Sequence, residues 1–286
     1  MPDHLYPDIW IAEKSIKYLK EVGSGTPWLL WVSFVGPHEP FDTPRKWKKE
    51  ISERIIPKQI ETAEWIKREA DIGNTRNIYE GWKGKLTHND IKDIRKDYTN
   101  RVQLLDDQVK RIVNEVRCRN ELDNTDIVIT ADHGEMLGDH EMLYKRTFLE
   151  GAVHVPFMYI PSDKRNKLCN IATKQQVGLT KIFKEVLKDS RRQLQGKKIK
   201  DHLDKNKVVE IRYDKETCLI KNGIKVVFDK EGKVLWATNI RRNKLEQKNI
   251  RDDRRFTRII ERIKHIYISK IKEQGKSCQK YVKRID

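Results

Sequence analysis

At 286 residues the chain is long enough for one large domain or two modest ones, and its 37% hydrophobic content supports a folded core. No segment approaches the roughly 20 apolar residues of a membrane span. Met1 to Asp8 carries acid, His and two prolines where an export leader would be apolar, so a soluble protein is expected, cytoplasmic by default.

The four cysteines (Cys118, Cys169, Cys218, Cys278) form no CxxC pair, which argues against a zinc ribbon or a disulfide framework and fits reduced thiols. The net charge of +17 is unevenly placed. Residues 1–190 hold 31 Lys+Arg against 30 Asp+Glu, whereas residues 191–286 hold 29 against 13. Such a basic last third either attracts anions (nucleic acid, anionic polysaccharide, a membrane surface) or is a solvated helical surface.

In chain order, Ile9, Ala12, Ile16 and Leu19 have the spacing of an amphipathic helix over 9–20, which Gly23-Ser24-Gly25 ends. The apolar run Trp28–Val35, bounded by Pro27 and Gly36-Pro37, predicts a strand buried on both faces of a parallel sheet. Residues 43–90 are polar with little periodicity and read as an insertion with short helices, a lid over the site. A long helix is expected over 91–117, with Val102, Leu105, Val109, Ile112 and Val116 on one face. Asp126–Ala131 and Val153–Ile160 read as further buried strands, so the first 190 residues predict an α/β domain with crossover helices. One more helix is expected over 176–187. In the 191–244 stretch, Asn222-Gly223 between 217–220 and 225–228 signals a hairpin, and Asp229–Gly232 turns into Val234–Trp236, which gives a small antiparallel sheet. Residues 245–286 form a basic helical tail. No internal repeat is present.

Three places carry chemistry. Ala131-Asp132-His133-Gly134-Glu135-Met136-Leu137-Gly138-Asp139-His140 directly follows a strand, and ligands in open α/β sheets gather outside the carboxyl ends of strands. A carboxylate and an imidazole are good donors for a divalent cation, and Gly134 lets the chain turn beside them. Gly36-Pro37-His38-Glu39-Pro40-Phe41 places His38 between prolines that stiffen its loop. Lys145, 13 residues after Asp132, offers a cation to an anionic oxygen. Singly, each has an ordinary reading: a hydrogen-bonded structural Asp-His pair, a surface His, a solvated Lys. Together they describe a site for a tetrahedral anion bound to a metal.

This combination resembles the sulfatase family within the alkaline phosphatase superfamily. The landmarks are YPDIWIAEKSIKYL, PWLLWVSFVGPHEPFDTP, YTNRVQLLDDQVKRIV, DIVITADHGEMLGDH and KRTFLEGAVHVPF, spread over residues 5–187. ADHGEMLGDH with a Lys shortly after is similar to the choline sulfatase and phosphonate monoester hydrolase branch. The resemblance implies a partial alkaline-phosphatase-like, mostly parallel sheet with flanking helices. It implies Asp132 and His133 as metal ligands, with Ca²⁺ the first candidate and Mg²⁺ or Mn²⁺ alternatives. It also implies that His38 and Lys145 bind the sulfuryl or phosphoryl group and act in catalysis, with Glu135, Asp139, His140 and Glu150 in supporting positions. The implied substrate is a sulfate-ester or phosphate-ester small molecule or an anionic glycan, with nucleic acid not expected as a partner.

The family also uses two further Asp ligands and a Cys/Ser-x-Pro/Ala-x-Arg nucleophile motif that becomes formylglycine. None of the four cysteines, and no serine, has that context here. His154 stands where the family usually has Arg before Val-Pro, and Gly151 replaces a more usual polar residue. The expectation is a sulfuric ester hydrolase by descent, present as a truncated or split product with a separately encoded N-terminal half and inactive by itself. The alternatives are a phosphodiesterase or phosphonate monoester hydrolase of the same superfamily, or a non-catalytic anion-binding remnant.

Overall fold

The computed structural model describes residues 3–52, 55–160, 162, 178–179 and 208–282. The chain divides into two compact units, Met1–Gln59 with Gly84–Ala131 and Pro156–Asn170, and Ile60–Lys83 with Asp132–Val155 and Ile171–Asp286. The 43–90 stretch is therefore shared between the two.

In the first unit, α1 (Pro7–Glu21) packs against α4 (His88–Cys118). Pro7 at the first helical position starts α1 with a preset φ. A capping box starts α4: Thr87 Oγ1 accepts from Asp90 N at 3.2 Å, and Asp90 Oδ2 accepts from Thr87 N at 2.8 Å. Tyr6, Ile9, Trp47 and Leu104 form the small apolar core. The inward face of α4 is shifted from the predicted stripe. Val116 is buried and Leu105, Val109 and Ile112 are half-buried. However, Arg101, Leu104 and Gln108 are buried while Val102 is 45% exposed, because Arg101 is drawn inward by buried polar partners on the loop after residue 35.

Strands β1 (Ile127–Thr130) and β2 (Phe157–Ile160) lie within the expected stretches and pair antiparallel, Ile127 opposite Ile160. Val153, however, ends a short helix instead of opening β2. The expected burial is absent: β1 is half-buried, and Met158 and Ile160 are exposed. The parallel neighbours of a mostly parallel sheet are not among the described residues. Trp28–Val35, expected as a strand, has no regular secondary structure and joins no ladder among the described residues. Its residues alternate between half-buried and exposed, and Leu29 and Trp31 are 75% and 70% exposed. The sequence predicted both faces covered; one is open.

The second unit is built on a four-stranded antiparallel meander, β3 (Val209–Tyr213), β4 (Glu216–Lys221), β5 (Ile224–Phe228) and β6 (Val234–Asn239). The hairpin at Asn222-Gly223 has φ of 53° and 78°, the left-handed pair that lets a two-residue turn follow the twist of its strands. Strand β3, absent from the sequence expectation, pairs with β4. The helix expected over 176–187 lies outside the described residues.

Period-two alternation gives the meander two buried faces. Leu219, Val226, Phe228 and Ala237 meet Ile260, Ile263 and Tyr267 of α6 (Thr257–Val282), with the Phe228 and Tyr267 rings stacked at 4.7 Å. The basic tail is thus a packed helix over much of its length. Cys218, Ile220, Val227 and Trp236 face the other way. There they meet Trp65 and Ile66 of α2 (Glu64–Arg68), Tyr79 of α3 (Asn74–Trp82), and Met136, Phe148 and Leu149. Residues 60–83 are therefore core-forming.

Lys225 lies on that second face with no exposed surface. Its ammonium donates to Phe148 O at 2.7 Å and Glu246 Oε1 at 2.8 Å, and it pairs with Glu150 Oε1 at 2.7 Å. Glu150 belongs to the short helix α5 (Glu150–Val153), and its backbone N donates to Glu246 Oε2 at 2.7 Å. Burial pulls the Lys225 pKa down, but the two carboxylates outweigh it and leave it above the ordinary value. Breaking one partner out of a buried ion cluster strands the other charges. Lys225→Ala is expected to destabilise the protein by about 3–5 kcal/mol, read as a lower urea midpoint.

Candidate active site

Asp132 and His133 follow β1 directly and belong to the second unit. Asp132 Oδ1 accepts from His133 N at 2.9 Å, and the Asp132 carboxylate is 88% exposed. His133 Nδ1 lies 2.9 Å from Gly134 O. A carbonyl only accepts, so Nδ1 carries the proton and the lone pair of the neutral ring sits on Nε2. That atom is 3.8 Å from Asp132 Oδ2, so the pair turns two donors toward one locality.

Gly134 fixes this turn. Its N–H donates to Ala152 O at 2.7 Å, and a Cβ placed there would lie 2.2 Å from Gly151 O. Only a residue without a side chain permits such an approach of two backbones.

Residues 135–146 form a loop whose backbone is held in unusual conformations. Leu137, His140, Glu141, Tyr144 and Arg146 all have positive φ, each costing on the order of 1–3 kcal/mol unless its surroundings impose it. The surroundings do impose it. Met136 N donates to Tyr144 O at 2.9 Å, and Gly138 N to Met142 O at 2.8 Å. Glu135 Oε1 accepts from Leu137 N at 3.2 Å and from Tyr144 N. Asp139 Oδ1 takes Ile60 N at 2.8 Å, and the buried His140 donates its N–H to Ile60 O at 2.8 Å. Burial holds the His140 imidazole below its usual pKa, which favours the neutral ring. Lys145 is half-buried between the left-handed Tyr144 and Arg146. Glu135, Asp139 and His140 therefore hold backbone, whereas the Glu150 carboxylate pairs with side chains. His154 pairs with Glu150 at 3.2 Å.

His38 belongs to the first unit. Its Nδ1 lies 2.9 Å from Glu39 O and 3.1 Å from Glu39 Oε2. The loop that carries it is gathered by two residues that sequence reasoning passed over. Buried Asp8, near the start of α1, accepts at Oδ1 from Val35 N at 2.8 Å and Gly36 N at 3.0 Å. Arg101 donates to His38 O at 2.8 Å and to Pro40 O, and it stands 3.6 Å from Asp8 Oδ2. The structure thus brings Asp132 and His133 together, places Lys145 on the same unit, and carries His38 on the other.

A divalent cation usually takes four or more donors. Among the described residues, no group of three or more His, Cys, Asp and Glu side chains is gathered to hold one. Asp132 and His133 therefore do not make a complete metal centre by themselves.

The sulfatase family model matches residues 3–188, and the chain belongs to the sulfatase family, whose members are metal-dependent. It is 28% identical over 162 residues to an arylsulfatase of Clostridium perfringens, covering 56% of this chain and 33% of that protein. It is 31% identical over 141 residues to a choline-sulfatase of Rhizobium meliloti, covering 47% and 27%. The chain thus matches about a third of the length of these curated relatives. The fold is similar to the phosphonate monoester hydrolase of Agrobacterium radiobacter, with a TM-score of 0.70 at 18% identity over 92% of this chain and 60% of that one. It is equally similar, at a TM-score of 0.70 and 15% identity, to a structure in complex with D-glucosamine-2-N,6-O-disulfate, over 95% and 70%. No described helix is long and apolar enough to cross a membrane.

Gly134→Ala is expected to destabilise the protein by about 1–3 kcal/mol through the Gly151 clash, measured by urea unfolding. Gly84→Ala, where a Cβ meets open space but φ is +67°, should cost less.

Proposed function

We propose that this chain is the part of a sulfate-ester hydrolase that supplies charge stabilisation and two metal donors to the site. The observation that carries this reading is the Asp132–His133 pair at the end of β1, on a turn locked by the Gly134–Ala152 hydrogen bond. Lys145 presents a fixed cation to the oxygens of the sulfuryl group. Such a charge acts most strongly where it is held in place before the reaction rather than reorganised during it. The loop hydrogen bonds to Glu135 and Met136 supply that rigidity. His38, whose loop is held by Arg101 and Asp8, is by family resemblance the residue that would contact a sulfuryl oxygen and assist the leaving oxygen.

Asp132 and His133 are two donors of a metal site completed by the remainder of a longer protein or by a separately encoded half. Ca²⁺ is the first candidate, with Mg²⁺ and Mn²⁺ as alternatives. The nucleophile, formylglycine in this family, comes from the remainder of a longer protein or from a separately encoded N-terminal half. The substrate is a sulfate ester of a small molecule or of an anionic glycan. The fold likeness to a phosphonate monoester hydrolase favours a second reading, hydrolysis of a phosphodiester or phosphonate monoester.

Co-expression with the portion of the Clostridium perfringens arylsulfatase outside the aligned third tests the reading. The complemented form should hydrolyse 4-nitrophenyl sulfate, and the chain alone should not. His38→Ala or Lys145→Ala should each lower kcat by about 10²–10³-fold. Complemented activity indifferent to both substitutions contradicts the assignment. Faster turnover of bis(4-nitrophenyl) phosphate selects the second reading.

A further inference from the structure

Helix α6 and the turn before it, residues 254–272, hold seven Lys and Arg against one acid, Glu261. Two of these cations are ion-paired: Arg255 with Asp253 at 2.7 Å and Lys270 with Glu210. Arg254, Arg258, Arg262, Lys264 and Lys272 have no carboxylate within ion-pair distance among the described residues. The helix is fixed by Ile260, Ile263 and Tyr267 against the meander, so its outward face has a set direction.

On that face, Arg258, Arg262, His265, Ser269 and Lys272 are all exposed, in steps of four, three, four and three. At 100° per residue these steps keep them in one narrow stripe. At a rise of about 1.5 Å per residue, Arg258 to Lys272 spans about 21 Å. Surface cations left without partners on a rigid straight element are a recognition feature for a linear polyanion. Guanidinium groups add planar two-pronged pairing with tetrahedral oxyanions. The aromatic side chains of this segment offer no stacking platform for a single-stranded nucleic acid, because Tyr267 is buried and Phe256 is packed against the core.

We infer that this stripe is a docking surface for a linear sulfated glycan, contacted through Arg258, Arg262 and Lys272. Sulfate groups spaced along a polysaccharide meet three cations from one side without bases to stack. This surface is separate from the chemistry proposed for Lys145 and stands or falls independently of it.

The test uses the full chain, with immobilised heparin as the sulfated probe and uncharged dextran and duplex DNA as comparisons. Heparin should bind while dextran does not, with affinity falling steeply between about 50 and 200 mM salt as counterions are released. Combined Arg258→Gln, Arg262→Gln and Lys272→Gln should weaken heparin binding at least tenfold with Tm unchanged, since all three side chains are exposed. Heparin binding that survives the triple variant overturns the inference. So does absence of binding at 50 mM salt, and so does duplex DNA binding tighter than heparin.

Discussion

A single buried ammonium group organises the second unit. Lys225 comes from the middle of the meander and reaches three oxygens on segments far from it in sequence: Phe148 O, the Glu150 carboxylate and the Glu246 carboxylate. An unpaired charge in that position would be intolerable, and a fully partnered one is tolerated only if its ligands stay in place. The cluster therefore fixes Glu150, whose helix carries Gly151 and Ala152. Those two residues define the space into which Gly134 turns. Through that chain of contacts the direction taken by Asp132 and His133 depends on a lysine in a different sheet. Glu246 also ties in Trp65, whose indole N–H donates to its backbone oxygen at 2.8 Å.

The first unit applies the same device in another form. Arg101 and Asp8 are buried charges whose partners are mostly backbone groups of the His38 loop, so their burial is offset only while that loop keeps its shape. Tyr6 closes the arrangement. It donates to Asp42 O at 2.9 Å, and burial pushes its hydroxyl pKa up to about 12, which keeps it a donor. Both units thus use buried charge to set loop conformation, beside Gly134 in the second and around His38 in the first.

Much of this was legible in the sequence. The 3.6-residue period found α1 and α4, the Asn222-Gly223 signal found the hairpin, and the DIVITADHG pattern placed Asp132 at a strand end. What stayed hidden depends on long-range partners. Arg101 lies beside Val102 and interrupts no pattern, so the inward face of α4 was misjudged by about one residue until its carbonyl partners were seen. Lys225 reads as a polar residue in a strand, and only the alternation with Val227 shows that it points inward. Trp28–Val35 has the composition of a doubly covered strand, yet composition does not reveal whether the covering strands are present. The polar 60–83 stretch hides Trp65, Ile66, Ile72 and Tyr79 as core residues because their spacing follows short helices and turns rather than one repeating period.

The central proposal is that Asp132 and His133 are two metal donors on a rigid turn and that the rest of their site is supplied from outside this chain, since no described group of three or more donors gathers there. Calorimetric titration of Ca²⁺ into the full chain, beside an Asp132→Ala variant, tests it most directly. The expected result is the absence of any Asp132-dependent heat at submillimolar Ca²⁺. Submillimolar binding that disappears with Asp132→Ala would mean that the chain holds a full ligand set, and would contradict the claim.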